Sequence, residues 1–151
     1  GVSTVQEEVG LRGGTTSTYG VQPDAGIVVE VSHATDSPGV EKQGIGDVRV
    51  GKGPVLARGA NINPVLFELL LETAAAENIP VQVIGVPRAT GTDANVMQLS
   101  RGGVATALLG IPLRYMHTPV EVLSLTDLEN AIRLLVAFVQ RLEEKQSFIP
   151  S

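Results

Sequence analysis

The chain has 151 residues, of which 43% are hydrophobic and 18% charged, and it carries a formal net charge of -5 with no cysteine. This is one domain's worth of polypeptide, long enough to bury a core; the composition argues against disorder, and the acidity against nucleic-acid partners, which need clustered cations. Without cysteine there is neither a disulfide framework nor a thiolate ligand, so any metal site must draw on His, Asp and Glu.

Apolar runs such as Val104 to Ile111 are far shorter than the roughly 20 residues that span a bilayer. The N-terminus shows no basic-then-apolar leader pattern. The expectation is a soluble cytoplasmic protein with no membrane partner. Gly1-Val2-Ser3 lacks an initiator Met and already reads as a strand in progress, so the sequence is expected to belong to a longer polypeptide.

In chain order, Val2 to Gln6 reads as a short strand that ends at the acidic pair Glu7-Glu8. Leu11 to Tyr19, closed by Gly20, reads as a short helix or helical turn. Gly26 to Ser32 is a β-branched run bounded by Pro23-Asp24 and by Asp36-Ser37-Pro38-Gly39, the pattern of a strand buried on both faces. Residues 40–53 read as a Gly-rich loop with an edge strand near Val48 to Val50. Asn63-Pro64 opens a helix, Asn as cap and Pro at the first helical position, with Leu66, Leu69, Leu70 and Ala74 on one face. It must end before Ile79-Pro80. Val81 to Val86 is a second apolar strand. The turn Pro87 to Thr92 leads into a helix from about Asp93 to Ser100, terminated by Arg101-Gly102-Gly103. Val104 to Leu109 is a third strand, followed by a proline-braced loop from Gly110 to Pro119. Thr126-Asp127-Leu128-Glu129 has the form of a capping box, and Leu128, Ile132, Leu135, Val136, Val139 and Leu142 predict the apolar face of a long C-terminal helix. Alternating apolar strands and amphipathic helices predict an α/β fold, a mostly parallel sheet sandwiched by helices in three layers. Function in such sheets gathers at the carboxyl ends of the strands. Glu7, Glu8, Glu30, the Gly91-Thr92-Asp93 turn and His117 are all expected there.

Glu30 is the least easily explained of these, because a carboxylate among Val28, Val29 and Val31 costs several kcal/mol unless it is paired, hydrogen-bonded or metal-bound. A salt bridge to Arg88 or Arg114 and a metal ligand are both open readings. His117, one of only two histidines, is either a surface residue or a fixed imidazole ligand; His33 reads as a loop residue near the site. Glu7 and Glu8 are either a solvated acidic pair or two carboxylates brought to one site by a strand end, one binding metal and the other free as a base. Gly91-Thr92-Asp93 caps a helix or lets backbone approach a substrate.

Five stretches together resemble a known family: Thr4-Val5-Gln6-Glu7-Glu8-Val9-Gly10-Leu11-Arg12-Gly13, Glu30 to Gly39, Gly51-Lys52-Gly53-Pro54, Gly91-Thr92-Asp93-Ala94, and Ile111 to Pro119. They are similar to the glutamyl and deblocking aminopeptidases. These are dinuclear metallopeptidases that include the tetrahedral aminopeptidases and some members labelled endoglucanase or cellulase M. The resemblance implies a zinc-peptidase-like fold and hydrolysis of N-terminal residues from peptides with two divalent ions, zinc or cobalt. It also implies assembly into a homo-oligomer, from dimer to dodecamer. It places Glu7 as general base and Glu8, Glu30 and His117 as metal ligands, with Gly91, Thr92 and Asp93 near the substrate. Glu30 stands where the family more often has Asp. A further His ligand near a His-x-Asp segment and an Asp bridging the metals lie upstream of the Glu-Glu pair in the family and have no counterpart in this sequence. Residues 1–144 are therefore expected to be the C-terminal part of a catalytic domain and 145–151 a frayed tail. A metal-independent endoglucanase using two carboxylates, or a non-catalytic assembly module, is the alternative.

Overall fold

The β-branched runs and the capped apolar helix assemble as their patterns dictate in a computed structural model, which describes residues 1–150. In chain order the elements are α1 (Arg12–Val21), β1 (Ala25–His33), β2 (Val55–Gly59), α2 (Pro64–Ala76), β3 (Gln82–Val86), α3 (Asp93–Met97), β4 (Ala105–Arg114), β5 (Val122–Leu123) and α4 (Leu125–Arg141). The strand order is β1-β4-β2-β3, with β5 on β4. β1 and β4 run parallel from Ala25↔Ala105 to His33↔Leu113, and β2 and β3 run parallel to each other. The two pairs join antiparallel through Val55↔Gly110 and Leu56↔Leu109. The sheet is therefore mostly parallel, with an antiparallel seam between β2 and β4 and the short β5 running antiparallel to β4.

Helices cover both faces. α3 packs on β1 and β4 and against α1, whereas α2 and α4 pack on β2 and β4 from the other side. Leu56, Leu66, Leu70, Leu109 and Leu134 fill the second interface and are fully buried, each such side chain contributing about 1.5–3 kcal/mol. α2 begins as its sequence predicts: the Asn63 side chain accepts from the Leu66 amide and Pro64 takes the first turn.

Several elements depart from expectation. Val2 to Gln6 is not a strand: Val2, Val5 and Val9 are exposed, and no strand pairs with them. Their backbone instead closes the start of α1, where Gly13 N donates to Val5 O at 2.9 Å and Arg12 N to Gln6 O at 3.3 Å. Residues 48–50 also form no strand; Val48 is pinned by Thr35, whose hydroxyl accepts from Val48 N at 2.9 Å. β2 lay hidden in the sequence because its apolar part is only Val55-Leu56-Ala57. β4 continues to Arg114, through the stretch expected to be a loop. Pro112 is tolerated there because it falls between the two short antiparallel pairings of β4, at Leu109–Gly110 with β2 and at Leu113–Arg114 with β5, where no amide is needed.

α4 starts after Ser124, whose side chain makes no capping bond, rather than at a Thr126-Glu129 capping box. Asp127 is fully buried and its carboxylate accepts from Gly51 N at 2.6 Å and Gly53 N at 2.8 Å, so it fastens the glycine loop instead of closing a capping box. The buried face of α4 is Asp127, Asn130, Ala131, Leu134 and Phe138. Of the residues expected to be its core face, Leu128, Ile132, Val136, Val139 and Leu142 are exposed, and only Leu135 is partly buried against the core. The tail is not simply frayed: Phe148 packs against the core and its carbonyl accepts from Asn63 Nδ2 at 2.8 Å.

Candidate active site

The acidic pair lies in a tight turn, where Gly10 N and Leu11 N donate to Glu7 O at 3.2 and 2.9 Å. Gln6 and Leu11 bracket it in the left-handed region, at φ 59° and 56°. This turn breaks the alternation of an extended chain and carries both glutamates to the carboxyl ends of β1 and β4. Gly13 permits the close approach, since a Cβ there would overlap the Val5 backbone. A second tie is Thr4 Oγ1, which donates to Asp93 Oδ2 at 2.7 Å.

His117 follows β4 in a loop where both it and Tyr115 adopt positive φ, 64° and 60°. Its amide donates to Glu121 Oε1 at 2.7 Å. Its ring nitrogen Nε2 stands 3.1 Å from Glu8 Oε1, although the two residues are far apart in sequence. His33, at the end of β1, meets the His117 ring edge-on with centroids 6.4 Å apart.

Glu30 projects from β1 on the α1/α3 side of the sheet, the side on which a Cβ at Gly26 would overlap Met97 of α3. Its Oε1 is buried without a hydrogen-bond partner. Burial pushes its pKa up to about 7; the Thr92 hydroxyl opposes this, and the charges of Glu7, Asp93 and Glu8 add to it. Glu7 is raised as well, through desolvation first and then the charges of Glu8 and Asp93, against the pull of His117. The salt bridge to an arginine that the sequence left open does not form with Arg114, which is engaged by Asp36 through Nε at 2.7 Å and a terminal nitrogen at 2.6 Å.

Thr92 and Asp93 reach this cluster by a route that the strand pattern does not reveal. β3 ends at the opposite edge of the sheet, because the β2–β3 pair runs antiparallel to β4. The segment 87–92 then returns across the face and delivers Thr92 beside Glu30. Thr92 caps α3 by accepting from Ala94 N. Asp93 is only 6% exposed, with Oδ2 bonded to Thr4 and Oδ1 buried and partnerless. Gly91 takes φ 72° in open space. Thr4 is the participant that the sequence reading passed over; only its pairing with a residue 89 positions away gives it a role.

Glu7 thus feels the charges of Glu8, Asp93 and His117, and Glu30 those of Glu7, Asp93 and Glu8. Among the described residues no three His, Asp or Glu side chains converge tightly enough to hold a metal ion. The donor chemistry nevertheless fits a hard or borderline divalent cation. A carboxylate and an imidazole already touch, and a second carboxylate presents a buried oxygen that nothing satisfies.

A profile described as M42 glutamyl aminopeptidase matches residues 1–134. A lysyl aminopeptidase of Pyrococcus furiosus is 45% identical over 142 residues, covering 94% of this chain and 40% of the relative. Among solved structures, a TET aminopeptidase from a marine sediment archaeon of the Thaumarchaeota superposes with a TM-score of 0.87 at 38% identity, over 95% of this chain and 40% of that one. The TET1 peptidase of Pyrococcus horikoshii, described as assembling into a tetrahedron or a large octahedral shell, superposes with a TM-score of 0.72 at 31% identity, over 92% of this chain and 40% of that one. The chain therefore spans about 40% of the length of the relatives it matches.

Proposed function

Because the chain belongs to the M42 glutamyl aminopeptidase family, we propose that it supplies the proton-transferring base and part of the metal-binding shell of an aminopeptidase that removes N-terminal residues from peptides. The observation that carries this reading is the 3.1 Å contact of Glu8 with His117, beside Glu7 and the partnerless buried oxygen of Glu30. Glu8 and His117 would hold one divalent ion, zinc or cobalt, and Glu30 a second. Three side chains are too few for two ions, so the remaining ligands would come from polypeptide outside residues 1–151. When bound, the ions supply Lewis acidity towards water and the scissile carbonyl.

Glu7 stays free of metal in this reading. Its carboxylate accepts the proton of the attacking water and returns it to the leaving amine, and its raised pKa makes it the stronger base. Gly91 offers open backbone to a bound peptide, Thr92 stands beside Glu30, and Asp93 steadies the Glu7 turn through Thr4. The TET1 assembly of Pyrococcus horikoshii supports a homo-oligomer for the complete enzyme. No described helix is long and apolar enough to cross a membrane, in keeping with a cytoplasmic enzyme.

Calorimetric titration of the chain with zinc or cobalt tests the ligands. Glu8→Ala and His117→Ala are each expected to weaken binding by roughly tenfold or more, and unchanged affinity in both removes the assignment. In the enzyme completed by the remaining polypeptide, Glu7→Gln is expected to lower kcat by about a hundredfold to ten-thousandfold with metal content retained.

A further inference from the structure

His117 sits on the connection 115–121 between β4 and β5, and packing does little to hold it there. Tyr115 is exposed, as is the His117 side chain. Both take positive φ, 60° and 64°, a region that residues other than glycine keep only when their surroundings impose it. Polar ties must therefore do the imposing. At the far end the Glu121 carboxylate accepts from His117 N, and within the turn Thr118 N and Oγ1 both donate to Tyr115 O, at 3.1 and 2.6 Å.

At the near end stands Arg114. Regular pairing of β1 with β4 stops at His33↔Leu113, and one more backbone bond follows, from Ala34 N to Leu113 O at 2.9 Å. Beyond it the two segments are joined by side chains: Arg114 Nε donates to Asp36 Oδ1 and a terminal nitrogen to Asp36 Oδ2. Two parallel bonds from one planar group fix direction as well as distance. Asp36 is itself braced, because its Oδ2 also accepts from Val50 N at 3.1 Å, and the hydroxyl of the preceding Thr35 donates to Gly46 O and accepts from Val48 N. The Asp36 side chain is 13% exposed and that of Arg114 34%, so the pair is more sheltered than an ordinary surface ion pair. Arg114 also stands in register with Val122 of β5, which puts the clamp at the base of the connection that carries His117.

We propose that Asp36 and Arg114 are positioning residues for His117: by joining the loop after β1 to the end of β4, they set the base of the 115–121 connection and so hold the imidazole against Glu8. Arg114 has no atom to offer a cation, and Asp36 spends its oxygens on Arg114 and Val50, so the pair acts through His117 and not at the metal. The inference rests on the reading of His117 as a metal ligand and adds what keeps that ligand in place.

The test uses the chain at neutral pH, with cobalt as the probe. His33 and His117 are its only histidines and their ring centroids lie 6.4 Å apart, so a nuclear Overhauser contact between the two imidazoles reports the position of His117 in the metal-free chain. The wild type is expected to show this contact. Arg114→Leu is expected to lose it and to bind cobalt roughly tenfold or more weakly in calorimetry. Arg133→Leu, which removes an arginine bonded to Asn130 on α4, should leave both at wild-type values. Circular dichroism checks folding; if Arg114→Leu does not fold, Asp36→Asn, which keeps the side-chain shape and removes its charge, carries the same expectation. Absence of the contact from the wild type overturns the positioning role. So does retention of either the contact or the wild-type cobalt affinity in the folded variant, and if His117→Ala still weakens binding the metal reading stands without it. Cobalt affinity unchanged by His117→Ala removes the ligand and the proposal together.

Discussion

Glu30 ionises at a cost that the fold itself imposes. One oxygen is buried without a partner, and the pKa stands at about 7, above the ordinary 4.5. An acid whose folded pKa is raised favours the folded state most below its unfolded pKa, and that contribution is lost as pH rises through the folded value. The metal-free chain is therefore expected to lose stability between about pH 4.5 and 7 on account of Glu30, with Glu7 acting in the same direction. Glu30→Gln should raise the melting temperature at pH 8 while changing it little at pH 4. A variant that melts like the wild type at pH 8 would show that the buried charge is relieved in some other way. From the sequence, a glutamate among valines announced that something had to face it; what faces it was invisible, because Thr92 and Asp93 arrive from the opposite sheet edge.

At the scale of elements, the most consequential tie is between the start of α4 and the loop before β2. Asp127 has no exposed surface and accepts from two glycine amides. Asp127→Ala would strand the buried Gly53 N–H, at about 1–3 kcal/mol for a buried group left unsatisfied, and urea unfolding should register that loss with an unchanged m-value. A loss below about 0.5 kcal/mol, the size of an ordinary surface substitution, would contradict the tie. A second clamp joins the loop after β1 to the end of β4: the Arg114 guanidinium holds the Asp36 carboxyl below its usual range. A depressed carboxylate stabilises the fold above its unfolded pKa of 3.8 and ceases to do so as pH falls through the folded value. Acid unfolding should begin at higher pH in Arg114→Leu than in the wild type. Helix starts such as Asn63-Pro64 were legible, being local chemistry. The face that α4 buries was not: its periodicity locates an apolar stripe but does not say whether the sheet of this chain or some other surface covers it. Asp127, Asn130 and Phe138 won the sheet because Gly51 and Gly53 supplied partners for the carboxylate.

Across the whole molecule, metal and fold are coupled. Anything that binds only the folded state stabilises it by mass action, by about 2.7 kcal/mol at a hundred times the dissociation constant, or roughly 5–10 °C in melting temperature for a domain of this size. Zinc or cobalt at that excess is expected to raise the melting temperature of the chain, with EDTA reversing the shift and Glu8→Ala abolishing it. An unshifted wild type would count against a competent pair at Glu8 and His117.

The amino-acid sequence alone was enough for what is local or repetitive: the α/β class, the apolar strands around Glu30 and Leu109, the cap of α2, and the Glu-Glu and His117 motifs that mark the family. Side-chain periodicity and turn chemistry act within a few residues, and that range suffices for such features. Only the tertiary structure decided the antiparallel seam between β2 and β4, the return of Thr92 and Asp93 across the sheet, and the folding of residues 2–6 back onto α1. Each depends on which distant surface comes to lie opposite, and a single strand or helix does not encode its neighbour.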